Sequence, residues 1–99
     1  MPVSLENQVV LVIGASSGIG RETAALFARE GAFVMASARR EDRLQQLQAE
    51  AASEGHVIEI APADSSKAAA MAELAKRTRD RFGTIDIVVN LTPPAAHAS

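Results

Sequence analysis

Apolar residues follow two alternating rhythms along this chain. Four short runs have the β-branched content of strands: Val9-Val10-Leu11-Val12-Ile13, Ala32-Phe33-Val34-Met35-Ala36-Ser37, His56-Val57-Ile58-Glu59-Ile60-Ala61 and Ile85-Asp86-Ile87-Val88-Val89-Asn90. The first has no polar position at all, as expected of a strand buried on both faces. Between the runs the period lengthens to that of a helix. Arg21 to Glu30 sets Ile19, Thr23, Leu26 and Phe27 on one side and is stopped by Gly31. Asp42 to Ser53 presents Leu44, Leu47 and Ala51, and Gly55 ends it. Lys67 to Phe82 lines up Met71, Leu74, Ala75, Thr78 and Phe82 before Gly83. Strands alternating with helices predict an α/β fold with parallel pairing and right-handed crossovers.

The spatial strand order expected from this alternation is 3-2-1-4, with the first two helices on one face and the third on the other. The fourth strand is then an edge, yet Ile85, Ile87, Val88 and Val89 are more apolar than edges usually are. The chain therefore reads as one partial domain over residues 1–99, the first part of a larger sheet. Residues 91–99, Leu91-Thr92-Pro93-Pro94 and an Ala-rich continuation, have no period and read as an irregular tail.

The candidate chemistry sits where the first strand meets the first helix. Gly14-Ala15-Ser16-Ser17-Gly18-Ile19-Gly20 is a glycine turn of the type that holds a nucleotide's phosphates. Glycines let the backbone turn sharply and come close to a ligand, while the unpaired N–H groups of a helix's first turn face an anion. The glycines fall at 14, 18 and 20, which is Gly-x-x-x-Gly-x-Gly and not the commoner Gly-x-Gly-x-x-Gly.

Composition narrows the alternatives. The 99 residues are 47% hydrophobic and 22% charged, which suits one small globular domain. A net charge of −2, with no basic cluster interleaved with aromatics, argues against nucleic acid as a partner. There is no cysteine, and two histidines, His56 and His97, give no metal-site pattern. The first residues, Met1 to Asn7, carry no charged leader and no long apolar core, and no run approaches membrane-spanning length. The expectation is a soluble cytoplasmic protein without a membrane partner.

With Ile13 before it and Ser16-Ser17 inside, the glycine turn resembles the N-terminal segment of the short-chain dehydrogenase/reductase family. The resemblance runs from Leu5 to Asn90, about nine-tenths of the chain, and implies a truncated Rossmann-like sheet of four strands and three helices. It also implies that Gly14, Ser16, Ser17, Gly18, Ile19 and Gly20 lie at the pyrophosphate and adenosine ribose of a nicotinamide dinucleotide. Family members that use NAD often carry an acid at the end of the second strand; here Ala38 stands there, followed by Arg39 and Arg40. A guanidinium can pair with a 2′-phosphate that an acid would repel, so NADP is expected rather than NAD. Arg39 is the stronger candidate for that contact, because Arg40 also reads as a solvated charge flanking the next helix.

Asp64 matches the family's acid that accepts from the adenine amino group, and Ser65 would bring its backbone to the same ring. Asp64, Ser65 and Ser66 equally offer capping oxygens for the third helix, and the two roles are compatible. Asn90 matches the first residue of the family's Asn-Asn-Ala-Gly segment, but Leu91, Thr92 and Pro93 replace the rest, which puts the nicotinamide end in doubt. Asn90-Leu91-Thr92 is also a glycosylation sequon, read here as coincidence.

The family's catalytic serine and Tyr-x-x-x-Lys have no counterpart, since the chain contains no tyrosine. No catalytic residue is therefore assigned. The expected function is that of the cofactor-binding part of an NADP-dependent oxidoreductase, which moves hydride between a nicotinamide and a carbonyl or alcohol in the family. Two alternatives differ in kind. One is a non-enzymatic module that pairs through the strand-4 edge with its own copy or with a complementing fragment. The other is a phosphate-binding or response-regulator-like module, which needs clustered acids at the strand ends and has only Asp64 and Asp86 to offer.

Overall fold

A computed structural model describes residues 5–16 and 18–92 of the chain. Seven elements follow one another: β1 (Val9–Ile13), α1 (Gly18–Arg29), β2 (Phe33–Ser37), α2 (Glu41–Ser53), β3 (Ile58–Ile60), α3 (Ala68–Phe82) and β4 (Ile87–Asn90). The strands form one parallel sheet in the order β3-β2-β1-β4, as the alternation predicts. Val10 stands beside Val34 on one side and Ile87 on the other, and Ile13 beside Ser37 and Asn90. This register brings the carboxyl ends of β1, β2 and β4 level, with the turn after β1 at the centre.

Every residue of β1 is buried, because helices cover both faces of the sheet there. On one face Val10, Val12, Val34, Ala36 and Ile58 pack under Ala24 and Ala28 of α1 and Leu44, Leu47 and Ala51 of α2. On the other, Leu11, Ile13, Met35 and Ala61 meet Leu74 of α3, with Met71 and Phe82 at the margin. The two-plus-one arrangement of helices follows from the right-handed crossovers.

The stripe expected on α1 needs correction. Ile19 and Leu26 are 74% and 50% exposed, while Gly20, Ala24 and Ala28 face the sheet. The reason is the approach distance: a Cβ on Gly20 would overlap the carbonyl oxygen of Gly14 and sit 2.7 Å from its carbonyl carbon. Only the smallest residues let the helix lie that near the turn, so the larger ones are rotated outward. Phe27 keeps partial contact with the core. The stripes predicted for α2 and α3 face inward, with Leu44, Leu47, Ala51, Leu74 and Thr78 buried. Several predicted ends move by a few residues, most at β3, where Val57 lies outside the strand and is 73% exposed.

Candidate functional site at the carboxyl ends of β1 and β2

The turn after β1 is built by one carbonyl and two glycines. Gly14 has φ +94°, a left-handed conformation that L side chains rarely adopt. The Gly14 and Ala15 amides donate to the Ser37 carbonyl at 2.8 and 3.0 Å, which fastens the bend to the end of β2. Those two donors are thus committed within the protein. α1 begins just beyond the bend, and the leading amides of a helix have no acceptor inside it.

Beside the bend opens a cavity of about 460 Å³, within the roughly 300–1,000 Å³ range of small-molecule sites. Its lining joins Gly14 and Ser16 from the bend, Ala38, Arg39 and Arg40 after β2, and Asp64, Ser65 and Ser66 after β3. Ile13, Ala63 and Leu91 add apolar surface, and Thr92 completes the lining. Residues brought together from the ends of all four strands thus share one hollow.

The charges in it differ in their freedom. The Arg40 guanidinium forks onto Asp42, Nε to Oδ1 at 3.2 Å and Nη2 to Oδ2 at 2.9 Å. This pairing raises the Arg40 pKa and lowers that of Asp42, chiefly through the side-chain hydrogen bond. Arg39 is exposed at the rim, and among the described residues its side chain makes no hydrogen bond or ion pair. Asp64 Oδ1 accepts from the Ser66 hydroxyl at 2.7 Å and the Ser66 amide at 2.9 Å. The Ser66 hydroxyl first, then its amide, hold the Asp64 carboxyl below the ordinary range, with a smaller contribution from Arg39.

That geometry replaces the expected helix cap by an Asx turn. The position preceding α3 is Lys67, which supplies no side-chain cap, because Asp64 and Ser66 are spent on each other before the helix begins. The second carboxyl of the response-regulator alternative lies at the opposite end of the sheet. Asp86 Oδ2 accepts the Val9 amide at 2.8 Å just ahead of β4, a structural role away from Asp64. Among the described residues no three His, Asp or Glu side chains group as a metal site, and no helix is long and apolar enough to cross a membrane.

The remaining predicted positions divide. Gly18 opens α1 and is exposed, with open space where a Cβ would be. Ile19 points outward and does not line the cavity, and Gly20 serves the close packing described above. Ser17 lies outside the described residues. Asn90 is exposed, and its Oδ1 accepts from the Thr92 amide at 3.0 Å and the Thr92 hydroxyl at 2.6 Å. Its two successors were harder to foresee. The Leu91 amide donates to the Ile13 carbonyl at 2.8 Å, and a Cβ on Gly14 would lie 3.1 Å from the Leu91 carbonyl carbon and Thr92 nitrogen. Only the Asn-x-Thr spacing hinted at that local turn, and the aperiodic stretch after it hid the contribution to the cavity.

The model of the family described as short chain dehydrogenase matches residues 8–92. The chain belongs to this family. It is similar to an A-factor type gamma-butyrolactone 1′-reductase of Streptomyces virginiae, 40% identical over 86 residues, which are 87% of this chain and 34% of that protein. The fold is shared with the glucose dehydrogenase of Caenorhabditis elegans in its apo form, TM-score 0.87 and 33% identity, covering 94% of this chain and 40% of that one. It is shared too with an alcohol dehydrogenase from Thermococcus sibiricus complexed with 5-hydroxy-NADP, TM-score 0.78 and 37% identity, covering 84% and 36%. The chain spans about a third of the length of the curated relatives it matches.

Proposed function

We propose that this short-chain dehydrogenase chain binds the adenosine and phosphate end of NADP(H) in the cavity beside the β1 turn, as the cofactor-holding part of an oxidoreductase. The observation that carries the reading is the convergence of Gly14, Arg39 and Asp64 on one hollow from three strand ends. The backbone cradle suits the group: Gly14 and Gly20 remove the Cβ atoms that would fill the bend, and α1 begins directly after it, where a helix's first amides have no acceptor within the helix.

Each side chain then has a role of its own. Arg39, exposed at the rim and without a hydrogen bond among the described residues, is the guanidinium for a 2′-phosphate. Arg40 lines the same hollow with its charge balanced by Asp42. Asp64, kept ionised by Ser66, offers its second oxygen to the adenine amino group, with Ser65 alongside. Ile13, Ala63 and Leu91 provide apolar surface for the flat base. Ser16 lies at the ribose and phosphate end. When bound, the nicotinamide carries hydride to or from a carbonyl or alcohol. That chemistry is the family's.

Calorimetric titration tests the reading. NADP should bind at least about tenfold tighter than NAD, the scale of one charge-assisted bidentate contact. Arg39→Ala should erase that difference by weakening NADP alone. Equal affinities in the parent chain would refute the 2′-phosphate assignment, and failure of a folded sample to bind either dinucleotide would refute the site.

A further inference from the structure

The amino ends of β2 and β3 carry a second hollow, at the end of the sheet away from the β1 turn. Val34 stands beside Ile58, so the same register taken one residue back sets Phe33 next to Val57. Val34 and Ile58 are buried under α1 and α2, and alternation along the strands turns Phe33 and Val57 to the α3 face. There α3 arrives only with its last turn. The Phe82 ring stacks on Phe33 with centroids 5.7 Å apart and 29° between the planes, and Gly83, at φ +90°, ends the helix at that point. One helix does not cover this corner, and Phe33 and Val57 remain 46% and 73% exposed.

The hollow measures about 430 Å³, a volume suited to a small molecule, and is lined by Phe33, Val57, Phe82 and Arg81. Among the described residues Arg81 is its only charged wall. Two contacts hold the guanidinium in place: it lies over the Phe82 ring, 5.1 Å from the centroid, and Nη2 donates to Glu59 Oε2 at 3.1 Å. That bond uses one of the five N–H groups, and among the described residues the guanidinium makes no other. An ion pair this exposed is worth little, so Arg81 can share itself with a second carboxylate.

The walls select the ligand. A phenyl ring and a valine offer flat apolar contact, which an aromatic ring uses better than a flexible chain does. The guanidinium repels cations and matches the planar fork of a carboxylate. A small inorganic anion would leave Phe33 and Val57 in water. We infer that this hollow is a binding site for a planar aromatic carboxylate, its ring against Phe33 and Val57 and its carboxylate on Arg81. The inference is independent of the NADP assignment, since the two hollows share no lining residue.

The test is a backbone-amide NMR titration of the 99-residue chain with 2-naphthoate. The comparison ligands are 2-naphthamide, which has the ring without the charge, and cyclohexanecarboxylate, which has the charge without the aromatic ring. Naphthoate should give saturable shifts centred on Phe33, Val57, Arg81 and Phe82, and should bind at least about fivefold tighter than either comparison ligand. Arg81→Gln should abolish the preference for acid over amide while the amide still binds. Phe33→Ser should weaken both aromatic ligands at least about fivefold. If that variant loses its fold, Val57→Asp, at a side chain mostly in water, should weaken the acid more than the amide. The absence of saturable shifts at this corner in the folded chain would overturn the inference. So would shifts centred on the β1 turn, equal affinity for acid and amide, or an acid preference that survives Arg81→Gln.

Discussion

The two edges of this sheet are finished to different degrees. The β3 edge is only three residues long, with Pro62 shortly after it. Gln48 of α2 donates Nε2 to the Ile58 carbonyl at 2.8 Å, and Glu59 pairs with Arg81 of α3 at 3.1 Å. Shortness, charge and a nearby proline are devices that keep an edge from pairing further. The β4 edge carries no charge within the strand, and Val88 stands exposed among the described residues. The cavity beside the β1 turn follows the same division. Its charged and polar lining comes mainly from the loops after β2 and β3, while the β4 side contributes Leu91 and Thr92. The closed edge and the charged part of the cavity lining thus lie on the same side of the sheet.

The comparison can be broken most severely at the joint that both sides share. Gly20→Ala puts a methyl group into the Gly14 carbonyl, and should cost at least about 3 kcal/mol or prevent folding, as read by denaturant titration. Gly18→Ala, two residues earlier, meets open space in the first turn of α1 and should be neutral or mildly stabilising, by about 0.5–1 kcal/mol. Equal damage from the two would show that the turn is not packed as described.

Next in size is a pair that sets one edge against the other. Ile58→Ala empties a fully buried position on β3 and should cost about 2–5 kcal/mol. Val88→Ala on β4 should cost less than about 0.5 kcal/mol in the isolated chain, because the side chain is mostly in water already. A large loss at Val88 would mean that the edge is covered. A smaller effect is expected at the finishing hydrogen bond itself, where Gln48→Ala should remove about 1 kcal/mol and speed amide exchange along β3.

Smallest of all is the effect at Ser37, whose hydroxyl is buried without a hydrogen-bond partner. Ser37→Ala should hold or raise the thermal midpoint, since the backbone carbonyl that secures the Gly14 bend is kept and only an unpaired polar atom is lost. A clear fall in the midpoint would reveal a partner for that hydroxyl.

Strand order, the helix faces of α2 and α3, and the glycine bend were legible because each rests on local rules: period, β-branching and the spacing of Gly14 and Gly20. The α1 face was misjudged for a related reason. Hydrophobic period assumes that large side chains point inward, whereas close approach to the Gly14 carbonyl demands small ones. Asp64 was expected as a capping carboxylate, but its Oδ1 is taken by the Ser66 amide and hydroxyl in an Asx turn, a choice that spacing does not settle. Leu91 joins the cavity through a bond to Ile13, 78 positions earlier in the chain. No local pattern reports a contact of that kind.

The central claim is that the adenosine-phosphate half of the cofactor site is built in this chain, on the β2 and β3 side. The most direct measurement is a backbone-amide NMR titration with adenosine 2′,5′-bisphosphate, with nicotinamide mononucleotide as the comparison. The account predicts saturable shifts centred on Gly14, Ser16, Arg39, Asp64 and Ser65 with the bisphosphate, and much weaker ones with the mononucleotide. Shifts of equal size from both ligands, or none at the β1 turn in a folded sample, would contradict it.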